Sequence, residues 1–429
     1  MNDALTQRTQ RPVRARVVVW VASLTAGLVT SGMQGIVPAI PAIRDHFGLS
    51  NFQVGLITSV YLLPGVFSAF AAGVLTERIG SRKVVTGGLM VFGLGGALLL
   101  VVHDLTALLA VRFVQGIMFG ALLSMTVGLI GSVAPAGPEA HRAQSRRIVG
   151  MSAGEALFPI VGGMLLSLAW YAPFGMQILT LPLAVVAWFT LPDDQHQARR
   201  EAKDTPPESI WKAPGVVGVQ ILAAGRFIFK FAVLTYVPVL AVDKLHMSAA
   251  TVGWLVGISS VLGVITALLS ERLAAKLRSS EMIVACMVLI TISLILIGWG
   301  TPAVVLAGGL LLYGIQDGIY GVAHNVLANE MAPRGSRMAY VGLTGTVRNV
   351  GKFAAPLAFG AATLVLPIST AFFAFAGIGV LGAAVAGSVA RKQRALAAAA
   401  VVSDTPDTAG SAAERPLNTT GRSANPEPK

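Results

Sequence analysis

The chain has 429 residues, of which 54% are apolar and 12% charged, and its formal charge is +12. Soluble globular domains carry about 25% charged residues, so the composition excludes that class and describes a polytopic membrane protein. A single cysteine, Cys286, excludes an intrachain disulfide, and no metal-spaced His/Cys cluster, Walker loop or GxGxxG turn points to a metal, ATP hydrolysis or dinucleotide chemistry.

Four arginines (Arg8, Arg11, Arg14, Arg16) precede an apolar run at 17–40. That run is long enough to cross a bilayer, and more runs follow, so it reads as a first membrane helix rather than a cleaved leader. Further spans are expected at 52–74, 84–102, 105–132, 144–170 and 174–191. After a charged linker come 214–241, 249–270, 281–299, 302–329, 337–365 and 368–390. The predicted fold is therefore an all-α integral membrane protein with twelve transmembrane helices. Its expected divisions are a cytoplasmic tail (1–16), a six-helix bundle (17–192), a cytoplasmic linker (193–213), a second bundle (214–394) and a disordered cytoplasmic tail (395–429). With the N-terminus inside, inner segments up to Arg394 hold 22 Lys and Arg and outer loops only Arg44 and Lys244. Positive charge favours the cytoplasmic side, so both termini are expected there, in a cytoplasmic (inner) membrane. The basic residues then face the cytoplasm and anionic headgroups, not nucleic acid.

The two bundles repeat each other. At an offset of 198, Gly55 falls on Gly253, Gly116 on Gly314, Gly120 on Gly318 and Ala134-Pro135 on Ala332-Pro333. At 194, LTERIGSRK (75–83) falls on LSERLAAKL (269–277), and at 197, Gly154 and Pro159 fall on Gly351 and Pro356. Parallel repeats of this kind put a binding site at the midplane between halves that rock against each other.

The residues now carry a resemblance. The layout over 15–395 resembles the major facilitator superfamily of secondary transporters. GVLTERIGSRK (73–83) is similar to its loop signature between helices 2 and 3, with Glu77 for the usual aspartate and Ser81 for an arginine. RFVQG (112–116) is similar to the helix 4 signature, and GEALFPIVGG (154–163) resembles the helix 5 signature of drug/proton antiporters, with Phe158 in place of a glycine. The resemblance implies a major facilitator fold with helices 1, 4, 7 and 10 around a cavity. It also implies a gating latch formed by Gly73, Glu77, Arg78, Gly80, Arg82 and Lys83. The plainer reading of that loop is a basic turn that fixes topology. Gly154, Gly162, Gly163 and Gly351 are read as close-packing positions and Pro159 and Pro356 as bends.

Charges inside the spans carry the functional expectation. Glu155, Arg112, Arg226, Lys230, Asp317, His324, Arg348 and Lys352 all lie within predicted helices. A charge at mid-membrane costs at least ~2.5–3.5 kcal/mol, so these groups should face one another or a wet cavity. Arg226 and Lys230 are four apart; Thr344, Arg348 and Lys352 step by four; and Tyr313, Asp317, Tyr320 and His324 share one stripe. Glu155, Asp317 and His324 are the candidate proton carriers. Arg112, Arg226, Lys230, Arg348 and Lys352, with Gln34, Gln115, Tyr313, Tyr320 and Asn325, are candidate cavity residues. Structural ion pairing is the plainer alternative for the charged members. The excess of interior cations in the second half suits anionic or zwitterionic organic molecules. Expected partners are such a small molecule, protons and the lipid bilayer, with no cofactor and a monomeric state. The reading is proton-coupled export of small organic compounds; the alternatives are symport of an organic anion and, further off, a sensor that moves nothing.

Overall fold

The computed structural model describes residues 2–133, 138–192, 215–332 and 337–403. Every regular element among them is helical, as lipid demands of a backbone that must satisfy its own hydrogen bonds. Helix α1 runs Asn2–Leu28 and continues in short pieces, Ser31–Gln34, Val37–Ala39 and Ile40–Phe47. Helix α2 is split into Asn51–Leu62 and Gly65–Ile79 at Pro64, which has no N–H to give the ladder. Its start is capped reciprocally by Ser50 and Gln53. Then come α3 (Ser81–Leu98), α4 (Leu105–Val133), α5 (Pro138–Leu165), and a 3₁₀ stretch Ala172–Leu179 leading into α6 (Thr180–Thr190). The second half holds α7 (Val216–Leu245), α8 (Ala249–Ala274), α9 (Ser279–Trp299), α10 (Ala303–Glu330), α11 (Arg337–Ala362) and α12 (Ile368–Ser403).

Among the described residues, nine helices are long and apolar enough to cross a membrane. The other three fall short for visible reasons: α2 is broken, α3 starts on Arg82-Lys83, and α11 carries Arg348 and Lys352. Together they supply the twelve expected spans. Large apolar side chains such as Trp20, Phe67, Phe189 and Leu268 are exposed on the outer faces, as lipid contact allows. Two expectations shift. Residues 395–403, assigned to the tail, continue α12 because ALAAAAVVS is rich in the best helix former. Likewise the expected N-terminal tail belongs to α1 from Asn2 onward. The expected linker at 193–213 and the rest of the tail, 404–429, lie outside the described residues.

The sequence repeat becomes a contact repeat. A Cβ on Gly116 of α4 would collide with the Tyr61 carbonyl of α2, and one on Gly314 of α10 with the Ser259 carbonyl of α8. Tyr61 and Ser259 are themselves 198 apart. Between the halves, Gly55 of α2 abuts the Pro356 carbonyl of α11, and Gly253 of α8 abuts the Pro159 carbonyl of α5. The α2–α11 and α5–α8 seams are thus the same joint, generated twice by a pseudo-twofold axis.

The α2–α11 side of the joint closes at one end. Arg44, just before α2, grips Asp243 of α7 through two hydrogen bonds of 2.5 and 2.8 Å. The Tyr236 hydroxyl donates toward the Asn51 carbonyl at 3.0 Å and the Pro356 carbonyl at 2.9 Å, and Ser59 donates to the Phe353 carbonyl at 2.9 Å. Farther along the same two helices the contacts thin out: beyond the hydrogen bond from Asn349 to the Gly65 carbonyl, Gly73 of α2 and Gly342 and Gly345 of α11 have open space beside them. The halves therefore meet at the Arg44–Asp243 end and part toward the end that carries Gly80.

Candidate functional site

The charged residues from four helices converge where the halves meet. Glu155 of α5 pairs with Lys230 of α7 at 3.5 Å, and Lys230 also pairs with Asp317 of α10 at 3.2 Å. Arg226, one turn from Lys230, reaches Asp317 through Nε at 2.9 Å and donates from Nη2 to the Asp317 carbonyl at 3.1 Å. Lys230 is thus one cation shared by a carboxylate from each half. The four side chains keep 14 to 27% exposure, so they line an opening rather than a sealed core. Glu155 and Lys352 occupy equivalent repeat positions, each four residues before a proline. Pro159 and Pro356 therefore leave the carbonyls of residues 155 and 352 without an intrahelical donor.

Lys352 and Glu155 form no ion pair with each other. The Lys352 ammonium donates to Asn349 at 3.0 Å and lies 4.9 Å from the Phe227 ring centre; the Arg226 guanidinium lies 5.1 Å from the same ring. Asn349 in turn donates to the Gly65 carbonyl across the joint at 3.0 Å, at the break in α2. Arg348 donates from Nη2 to His324 Nδ1 at 3.0 Å and to Asn325 at 2.7 Å. His324 Nε2 is 3.0 Å from the Val219 carbonyl, an arrangement that fits the Nε2–H tautomer with Nδ1 accepting. Both ring nitrogens of His324 are therefore engaged. Tyr320, stacked on His324, donates to the Leu222 carbonyl at 3.0 Å, and Tyr313 is buried in the same face of α10.

Three candidate cavity residues sit elsewhere. Arg112 is fully enclosed in the first half, donating to the Gly32 carbonyl at 2.5 Å and lying over the Tyr61 ring at 3.9 Å, with Nε unpartnered. Gln115 donates to the Phe92 carbonyl of α3 at 3.1 Å and to Gln177. The reason is angular: Gly116 must face α2, and its predecessor, about 100° round the helix, then faces α3. Gln34 is buried in α1 with its Oε1 unpartnered.

In the gating signature, Gly80 has φ +89° and ψ 152°, a conformation open essentially to glycine, which turns α2 into α3. Arg82 donates to the Leu191 carbonyl at 2.8 Å and lies 5.9 Å from the Trp188 ring centre, so it fastens α3 to α6 within one half. Arg78 and Lys83 are exposed, as is Gly73; the Glu77 side chain lies outside the described residues. The small residues do close-pack: a Cβ on Gly154 would sit 2.5 Å from the Gly27 carbonyl oxygen, on Gly163 2.6 Å from that of Ala249, and on Gly351 2.7 Å from that of Ala224. Gly162 meets the Gly35 carbonyl still more closely.

Sequence reasoning missed Asn349, Phe227, Tyr236 and Asp243. Asn349 lies three residues before Lys352, a helical neighbour spacing that could have drawn notice. Tyr236 and Asp243 act through partners remote in sequence, as Phe227 does toward Lys352.

Comparison with known proteins bears on this geometry. The profile of the Major Facilitator Superfamily matches residues 22–356 and 219–404. The multidrug efflux protein YfmO of Bacillus subtilis (strain 168) is 28% identical over 272 residues, 61% of this chain and 65% of that protein. The bacillibactin exporter of the same organism is 29% identical over 153 residues, 34% of this chain and 38% of that protein. The matched stretches thus span less than two thirds of either relative's length. In fold, a bacterial homolog of the human lysosomal transporter Spinster, in an inward-facing and unoccupied conformation, superposes with a TM-score of 0.71 at 15% identity, covering 88% of this chain and 97% of that one.

Proposed function

Because the chain belongs to the Major Facilitator Superfamily, we propose that it is a proton-driven transporter that exports small organic compounds by alternating access. It is a multi-pass membrane protein. We assign it to the cytoplasmic membrane with both termini inside, on the 22-to-2 distribution of Lys and Arg. The parted end of the two halves then opens to the cytoplasm. Gating by the α2–α3 loop fits that state: with the halves parted, Arg82 bonds within its own half.

The observation that carries the reading is Lys230 held between Glu155 and Asp317. Protonating Glu155 forfeits one contact at 3.5 Å, whereas protonating Asp317 forfeits contacts to two cations at 2.9 and 3.2 Å. The smaller loss assigns the travelling proton to Glu155. Its arrival would release α5 from α7 and loosen the joint; its departure to the cytoplasm would restore the pair. Arg226 and Asp317 anchor Lys230 throughout. His324, with both nitrogens committed, is a support rather than a carrier. Export is favoured over import by the exporters among its relatives.

Proteoliposomes loaded with the pH dye pyranine test this, with benzoate, norfloxacin and tetraphenylphosphonium as anionic, zwitterionic and cationic probes. An imposed pH gradient should drive a probe against the proton in the parent. Glu155→Gln should abolish proton movement while leaving gradient-free probe exchange. Proton flux at the parental rate in both Glu155→Gln and Asp317→Asn would sink the reading, and probe moving with the proton would establish the symport alternative.

A further inference from the structure

Two of the four cations at the joint are matched by carboxylates and two are not. Arg226 and Lys230 divide Asp317 and Glu155 between them. Arg348 and Lys352 have only neutral hydrogen-bond partners among the described residues: His324 and Asn325 for Arg348, Asn349 for Lys352. Each is held in place without being neutralised. Arg348 spends one nitrogen, Nη2, on those partners and keeps Nε and Nη1; Lys352 spends one donor of three. They lie one turn apart on one face of α11, both partly exposed. An uncompensated cation in a membrane is costly, and here the cost is incurred twice, with neither cation in an ion pair among the described residues.

We propose that Arg348 and Lys352 form a binding site for the carboxylate of a small organic acid. A guanidinium edge beside an ammonium presents a planar fork and a point charge to one carboxylate, the pairing for which such donors are best suited. The Phe227 ring beside Lys352 supplies an apolar wall for the body of the acid. His324, Asn325 and Asn349 are positioning residues: they aim the two cations and contribute no charge. The four cations thus divide by task, the α7 pair serving the protein's own acids and the α11 pair serving the ligand. The site's place in a transport cycle rests on the proposed function above; the binding itself does not.

Equilibrium binding of radiolabelled benzoate to the full chain in neutral-lipid nanodiscs tests the assignment. Arg348→Gln and Lys352→Gln should each weaken benzoate about 10- to 100-fold, as loss of one charge-assisted hydrogen bond implies. The ligand-free melting temperature of Lys352→Gln should equal or exceed the parent's, because no carboxylate loses a partner. Lys352→Gln, whose parent side chain makes one hydrogen bond, carries the test if Arg348→Gln does not fold. Glu155→Gln removes a negative charge and no donor to the ligand, so it should bind benzoate at least as tightly as the parent, and a failure of proton coupling leaves this site standing. Benzoate affinity unchanged in both variants, or tetraphenylphosphonium binding tightly while benzoate does not, would overturn the site even with proton flux intact.

Discussion

Replacing Asp317 by Asn removes the carboxylate that holds Arg226 at 2.9 Å and Lys230 at 3.2 Å. Glu155 alone would then face the whole set of interior cations. Breaking a buried ion pair by removing one partner costs about 3–5 kcal/mol. The residual exposure, 18% for Arg226 and 14% for Asp317, lets solvent screen part of this, leaving roughly 2–3 kcal/mol. In a chain of this size that lowers Tm by roughly 2–3 °C. Scanning fluorimetry of the protein in nanodiscs reads the shift from its tryptophans. The double variant Asp317→Asn/Arg226→Gln removes the orphaned guanidinium as well and should recover at least half of the loss. A single variant that melts with the parent, or a double variant as unstable as the sum of the two singles, would refute the argument that Asp317 is there to neutralise α7.

Other consequences can be measured with the same material. Gly80→Ala forces a side chain into a backbone region held by glycine, and should cost about 1–3 kcal/mol of stability, read as a lower Tm. Gly55→Leu and Gly253→Leu drive a side chain into the facing proline carbonyl at equivalent points of the two seams. Both should hold the Arg44 end open, so that a cysteine introduced at Ser59, buried in the α2–α11 seam, becomes more reactive to a water-soluble maleimide; parental labelling rates would contradict the pseudo-symmetric joint. Asp243→Asn should raise the same labelling, and the swap Arg44→Asp/Asp243→Arg should restore the parental rate if the clasp is electrostatic.

Much of this was legible in the chain because lipid simplifies it. Apolar run length marks the spans, and the offset of 198 marks glycines that prove to face equivalent carbonyls in both halves. Helical spacing also separated the polar stripes: Arg226 with Lys230, and Arg348 with Lys352, do share faces. Spacing says which side chains lie on one face, however, and not which helix that face meets. Hence the sequence could not pair Lys230 with Glu155, nor keep Lys352 from it, since both cations sit on apolar helices near the same level. Gln115 illustrates the same limit from the other side: its polar character invited a cavity role, but the packing demand of Gly116 turns it toward α3. The breaks within α1 and α2 were hidden because hydropathy does not report helix continuity. Pro64 was the visible cue for the second.

The account turns on Lys230 being shared between the halves, and a zero-length cross-link tests that contact most directly. Carbodiimide treatment of the protein at neutral pH joins a carboxylate to an amine only where they touch, and mass spectrometry of the digested product identifies the pair. The account requires a peptide containing Glu155 joined to one containing Lys230, absent in Glu155→Gln. Glu155 joined to Lys352 instead, with Lys230 joined only to Asp317, would contradict it.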